Sequence, residues 1–259
     1  DKNYNVTSIC EMFSIGDTLT SVTIPNSITS IGKEVFKDCS RLTSITIGNS
    51  VTSIGERAFY NTGWYNNQAD GILYLDNYCL GYKGTKPTGS LSINANTRVI
   101  ADNAFNRCPG ITNVNLPNSI TNIGNYAFNA CKGITTATIG NSLTKIGEYA
   151  FNGCSGLTSI SIPQSVTSIG KDAFKSTNWY NNQADGILYL NNCCLGYKGD
   201  SPTSALYIAN GTRVIADYAF NNCADLTSVN FPNSITNIGK YAFDGCTGLS
   251  YTTIPNSVT

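Results

Sequence analysis

A chain of 259 residues with 16 Lys+Arg, 16 Asp+Glu and no His is formally neutral, so it has no field to draw a polyanion and nucleic acid is excluded as a partner. Charged residues are 12% of the chain, about half the usual share, and Ser, Thr and Asn take their place. Without His the commonest general base, the commonest metal ligand and every Ser-His or Cys-His pairing are missing, and no stretch approaches the roughly 18 consecutive apolar residues of a membrane span. The composition therefore points away from an enzyme, and no cofactor, metal site or catalytic residue is expected.

Residues 1–18 open on a polar run, Asp1 to Val6, and are read as an N-terminal capping segment. From residue 19 to 259 the chain is one repeat written many times. Segments beginning Leu19, Leu42, Ile111, Ile134, Leu157, Leu226 and Leu249 share one 23-residue grid, and the two wider gaps are three periods long. Within a period, Leu157-Thr158-Ser159-Ile160-Ser161-Ile162-Pro163 alternates apolar and polar and predicts a half-buried strand. Ser165 to Ile169 predicts a second short strand, ended by Gly170 at a sharp bend. Lys171 to Phe174 reads as one helical or 3₁₀ turn. A unit this small cannot bury its own apolar face, so the copies must stack into a solenoid. A ring recurs at Phe36, Phe59, Tyr82, Phe105, Phe128, Phe151, Phe174, Tyr197, Phe220 and Phe243, predicting an unbroken aromatic spine.

Two units keep the period but lose the pattern, residues 65–87 and 180–202. The first carries Ile72-Leu73-Tyr74-Leu75, then Asp76-Asn77, then Tyr78-Cys79-Leu80-Gly81-Tyr82; the second turns at Asn191-Asn192. A two-residue polar turn between β-prone runs predicts a hairpin, with Trp64, Tyr65, Trp179 and Tyr180 at the hairpin bases. Trp64 and Trp179 are 115 residues apart, five periods, as expected of a duplicated five-repeat block. The chain stops within a repeat at Thr259, from which further coils or a covering partner are expected.

The unit Leu-Thr-Ser-Ile-x-Ile-Pro-Asn-Ser-Val-Thr-Ser-Ile-Gly-x-x-Ala-Phe-x-x-Cys resembles the BspA-like, Treponema-type class of leucine-rich repeats over about residues 19 to 259. That resemblance implies a β-rich, parallel-strand, right-handed superhelix with short helical turns, here interrupted by two hairpin units. It also implies an extracellular or cell-surface location on host-associated bacteria, and adhesion to host matrix proteins such as fibronectin and fibrinogen or to neighbouring cells.

Six of the ten Cys, at 39, 108, 131, 154, 223 and 246, share one repeat position and read as buried free thiols serving as small core residues. Thr62 and Thr177 replace them in two coils. Asp70 and Asp185 read as turn formers, since one carboxylate among amides lacks the oxygen density of a calcium loop. Ser44 and Thr46, Asn113 and Asn115, Thr136 and Thr138, Ser159 and Ser161, and Ser228 and Asn230 predict an uncharged polar ladder on the exposed strand face. Arg98 and Arg213 interrupt a second ladder of Thr52, Thr121 and Thr167. Tyr126, Tyr149, Tyr218 and Tyr241 share a position beside the buried Ala, where polar-tipped rings suit an interface or lie over neighbouring coils. The function expected is an interaction protein, monomeric, binding a host matrix protein or glycan through the polar ladder and the Trp-Tyr bases. A passive stalk or spacer within a larger surface protein is the alternative.

Overall fold

Alternating strands with one apolar face demand a stack, and the computed structural model, which describes residues 6–10 and 18–259, provides one built from three rows. In the first-strand row, Ser21–Ile24 pairs in parallel with Ser44–Ile47. Further along, Ile111–Leu116 pairs with both Gly89–Ser92 and Thr136–Ile139, and Ser228–Asn230 pairs with both Ala205–Tyr207 and Tyr251–Thr252. The second-strand row holds two-residue strands such as Val99–Ile100, Asn122–Ile123, Lys145–Ile146 and Ser168–Ile169, again all parallel. Of the expected capping segment, Ser8–Ile9 joins this row against Ser30–Ile31; residues 1–5 and 11–17 lie outside the described residues.

The third row corrects the expected helical turn. Lys171 to Phe174 is a run of non-helical turns with Asp172 at φ 53, and equivalent coils place Tyr126 and Ala130 at φ 56. This alternation turns every second N–H along the stack axis, where it donates to the next coil. Tyr126 N–H reaches the Glu148 carbonyl (2.8 Å), Phe128 reaches Ala150 (2.8 Å) and Ala130 reaches Asn152 (2.7 Å). The row is thus a hydrogen-bonded ladder in its own right, which a helical turn, bonding within itself, would not be. The true helical turns are elsewhere, at Gly63–Asn66 and Asn178–Asn181.

Gly170 also has a different purpose from the one expected. A Cβ there would lie 2.6 Å from the Gly147 carbonyl carbon, so glycine permits the close approach of coils; no left-handed bend is involved.

The two hairpins form as expected, with Leu75 opposite Tyr78 and Leu190 opposite Cys193. Their second arms enter the second-strand row, where Tyr78 and Cys79 pair in parallel with Val99 and Ile100. Side chains alternate across the arm, so Leu75 and Tyr78 pack into one core block while Cys79 packs into the next. The core consequently falls into three blocks joined by the hairpins. The aromatic spine is broken at the same places. Phe36 stacks on Phe59, Phe105 to Phe174 form a run of four with centroids 5.2–5.7 Å apart, and Phe220 stacks on Phe243. Tyr82 and Tyr197 are half-buried hairpin residues outside these stacks.

The polar strand ladder is likewise in pieces. Asn113 faces Thr136 and Asn115 faces Thr138, with Thr136 Oγ1 donating to Asn113 Oδ1 at 2.6 Å. Ser159 and Ser161 are exposed but belong to no strand, because the neighbouring hairpin intrudes, its Asn191 Oδ1 accepting the Ile162 N–H at 3.2 Å.

Candidate binding clefts

Each hairpin junction is written locally at the Cys position of the repeat. Thr62 stands there, fully buried, donating to the Phe59 carbonyl (2.9 Å) and accepting the Tyr65 N–H (3.0 Å). A thiol makes a poor cap; a threonine hydroxyl is a good one, so the chain turns into the helix Gly63–Asn66 instead of starting another strand. Thr177 repeats the arrangement before Asn178–Asn181. The helix end is then closed by Lys83, whose Nζ donates to the carbonyls of Tyr65 (3.2 Å), Asn66 (2.9 Å) and Gln68 (2.6 Å) and lies 5.4 Å from the Tyr65 ring centroid. Lys198 does the same for Asn181 and Gln183.

The hairpin is pinned to both flanks. Tyr78, fully buried, donates its hydroxyl to the Gly48 carbonyl at 2.7 Å. Arg98 reaches back 49 residues to the Asn49 carbonyl at 2.6 Å, and Arg213 reaches the Gln164 carbonyl at the same distance. The two arginines that interrupt the threonine ladder are therefore cross-braces over the hairpins.

On the turn side the hairpin supplies no row, and the flanking coils meet directly where Asp102 N–H donates to the Ile54 carbonyl and Asp217 N–H to Ile169, both at 2.9 Å. Beyond that point the coils diverge around the hairpin and leave a wedge-shaped cleft of about 370 Å³. Phe59, Leu73, Leu80 and Tyr82 form its apolar floor, with Trp64 and Tyr65 to one side and Arg57 and Asp102 at the rim. A second cleft of about 200 Å³ repeats the floor, on Phe174, Leu188, Leu195 and Tyr197, with Tyr180, Asp172 and Asp217 around it but without Trp179, the copy of Trp64. Two charges exchange places between the clefts, Glu56 and Arg57 in the first standing where Lys171 and Asp172 stand in the second.

Electrostatics in the clefts follow from burial. Burial raises the Asp102 carboxyl above its ordinary value, against hydrogen bonds from the Asn125 backbone N–H (2.7 Å) and side-chain amide (3.3 Å) that favour the charged form. Asp217 is raised for the same reason, with the Lys240 N–H as its donor. Burial, followed by the adjacent Cys108 thiol, pushes the Tyr82 phenol up to about 12.

Of the sequence-predicted binding residues, Trp64 and Tyr65 come together at the first cleft, and Tyr180 lines the second. Trp64 is half-buried against the first core block, and Trp179 meets Phe174 edge-on at 6.2 Å. Ser44, Thr46, Asn113, Asn115, Thr136, Thr138, Ser159 and Ser161 are all exposed on the first-strand side, away from the clefts, and so form a separate surface. Tyr126 and Tyr149 stack at 4.8 Å on the turn edge, and Tyr218 and Tyr241 meet at 5.0 Å with their rings tilted by 33°. The in-register cysteines are free and, apart from the half-buried Cys246, buried; Cys131 and Cys154 donate to the carbonyls of Phe105 and Phe128, at 3.0 and 3.1 Å. Asp70 and Asp185 are exposed, and among the described residues no group of three His, Cys, Asp or Glu is placed to hold a metal. No helix among them is long and apolar enough to cross a membrane. Sequence reasoning missed the floor residues Leu73 and Leu80 and their copies, although the 115-residue duplication that marked the tryptophans covers them as well.

A family model described as a BspA type leucine rich repeat region, in six copies, matches residues 7–82, 74–195 and 196–259. Among solved structures, a leucine-rich repeat protein from Bacteroides ovatus is similar at 19% identity, over 99% of this chain and 78% of that one, with a TM-score of 0.38. A leucine rich cell surface protein from Faecalibacterium prausnitzii is 18% identical over 95% and 82%, at 0.40, and a leucine-rich repeat protein of T. pallidum 22% identical over 66% and 70%, at 0.30. No curated protein matches the chain. The matched segments together run from residue 7 to 259, the length of the stack, and the chain belongs to the BspA-type leucine-rich repeat family.

Proposed function

We propose that this chain is an interaction scaffold displayed at a bacterial cell surface or secreted from it, and that it mediates adhesion by binding a partner protein. The observation that carries this reading is the repetition of one cleft, with the same floor and with Tyr65 or its copy Tyr180 beside it, at two points of an otherwise uniform stack. A stack whose only task is spacing has no use for two concave breaks with half-exposed aromatics. Solenoids present extended surfaces, and two equal sites on one rigid body gain avidity from a repetitive partner without high affinity at either. The uncharged strand face of Asn113, Asn115, Thr136 and Thr138 offers a second, hydrogen-bonding surface to the same partner.

The test is an array of immobilised host matrix proteins and glycans probed with the intact chain. Saturable capture by a matrix protein, weakened by Tyr65→Ala or Tyr180→Ala, is the expected result. Silence across the array supports the spacer reading, and capture by glycans alone replaces the protein partner with a carbohydrate.

A further inference from the structure

The turn-row ladder loses one rung at each hairpin. In ordinary coils the N–H groups at three alternate positions donate forward, as Glu34 does to the Glu56 carbonyl (3.0 Å), Phe36 to Ala58 (2.8 Å) and Asp38 to Tyr60 (3.0 Å). In the next coil the same positions are Arg57, Phe59 and Asn61, and none of these N–H groups has a hydrogen-bond acceptor among the described residues. The ladder resumes at once on the far side, where Asn103, Phe105 and Arg107 donate to Asn125, Ala127 and Asn129. At the second hairpin the same three positions, Asp172, Phe174 and Ser176, are again without acceptors. Of the six, those of Phe59 and Phe174 belong to buried residues, where an unmatched backbone donor is costly, and the duplication carries the same unmatched row twice.

Arg57 and Phe59 line the first cleft and Asp172 and Phe174 the second, with Asn61 and Ser176 continuing each row outside it, exposed; the donors fall at i, i+2 and i+4, the spacing with which a strand edge presents hydrogen-bonding groups. We propose that each cleft is a docking slot for an extended peptide segment of a partner protein. The segment's alternate carbonyls accept the N–H groups of Arg57, Phe59 and Asn61, and one of its apolar side chains drops onto Leu73, Leu80 and Tyr82. This deepens the interaction reading above and rests on it. The partner's main chain takes the place of the missing coil, which is β-augmentation applied to a turn row. Two features favour a peptide over a small molecule or a sugar. The second cleft, at about 200 Å³, is below the usual range of a small-molecule pocket and the first, at about 370 Å³, stands at its low end, though each is sufficient for one side chain. The donors are a periodic main-chain row, and only a main chain offers acceptors at that period.

The probe is the blocked heptapeptide acetyl-Gly-Glu-Tyr-Ala-Phe-Asn-Gly-amide, the sequence of residues 147–153. Its second, fourth and sixth carbonyls correspond to those of Glu148, Ala150 and Asn152, which satisfy the equivalent N–H groups inside the stack. In an amide NMR titration of the intact chain, the peptide is expected to shift the resonances of Arg57, Phe59, Asp172 and Phe174 with a stoichiometry of two. Leu80→Trp and Leu195→Trp, which fill the half-buried floors, should each remove one site and together remove both. Absence of shifts at these amides, or an unchanged titration of the double variant, overturns the slot, and so does a shift of the same amides by cellotetraose with the peptide silent. If the filled variants do not fold, shift mapping on the unmodified chain decides alone. Matrix-protein capture that survives in the double variant refutes the slot while leaving the adhesion reading intact; peptide binding without any capture does the reverse.

Discussion

At the scale of single residues, the rings and the buried acids decide most. Phe128 is fully buried between Phe105 and Phe151, with centroids 5.4 and 5.2 Å away, so Phe128→Ala removes a ring from the middle of the longest stack. The expected cost is about 3–5 kcal/mol, read from denaturant unfolding; an unchanged midpoint would remove this ring from the core. Asp102 gives a prediction of the opposite sign. Because burial raises its pKa in the folded chain, the folded state holds its proton more tightly than the unfolded one. Stability is then fullest below the ordinary aspartate range and declines as pH rises through the raised value. Asp102→Asn should abolish that decline and raise the midpoint at neutral pH, since asparagine can still accept the Asn125 N–H, as Asn125 itself accepts that of Glu148 at 2.8 Å. Thermal scans at several pH values read both effects. The thiols should be inert under native conditions, because burial pushes Cys79 and Cys131 up to about 12 and thiolate is the reacting form. Rapid native labelling of these two would contradict their placement.

At the scale of the element, the hairpin is held by a few directed contacts, and the two copies do not hold equally. Tyr78 anchors the first hairpin to Gly48, whereas Cys193 fills the equivalent position in the second and has no hydroxyl to offer. Tyr78→Phe should therefore cost about 0.5–1.5 kcal/mol, the net worth of one hydrogen bond, because the Gly48 carbonyl keeps the Val51 N–H at 3.4 Å, and amide exchange should accelerate in residues 71–83 while residues 186–198 stay as they were. Uniform acceleration in both hairpins would show that the anchor is not local. Gly81 tolerates no substitution for two reasons, its φ of +118 and the Ala104 carbonyl 2.6 Å from where a Cβ would sit. Much of this element was legible in advance. The Asp76-Asn77 turn and the alternating runs gave the hairpin, and the exchange of Cys for Thr at 62 marked where the coil departs from pattern. That the exchange creates a helix cap became visible only when the Tyr65 N–H was seen to lie 3.0 Å from the threonine hydroxyl.

At the scale of the whole molecule, the hairpins make the two sides of the stack unequal. They add strands to the second-strand row and nothing to the turn row, so the stack is wedged at each junction, the flanking coils meeting at the start of the turn row and parting beyond it. The contact of Lys240 with Glu148 at 2.6 Å, reaching across the second junction, agrees with this. Both partners are partly exposed, so Lys240→Met should lower stability by no more than about 1 kcal/mol. The stack itself should appear elongated in solution, with coils spaced at about 4.8 Å along its axis, and a near-spherical particle in small-angle scattering would be incompatible with it. The sequence by itself determined the period, the register and nearly all of the core, because alternation and a recurring ring are local properties that a stack of like units must satisfy in one way. Only the tertiary structure decided that the strand row stops at Ser159–Ile162, that the aromatic spine breaks at Tyr82 and Tyr197, and that at the two hairpins six turn-row N–H groups lack acceptors among the described residues. Each of these depends on what the neighbouring coil supplies, and a hydrogen bond that a neighbour withholds leaves no mark in the residues that would have made it.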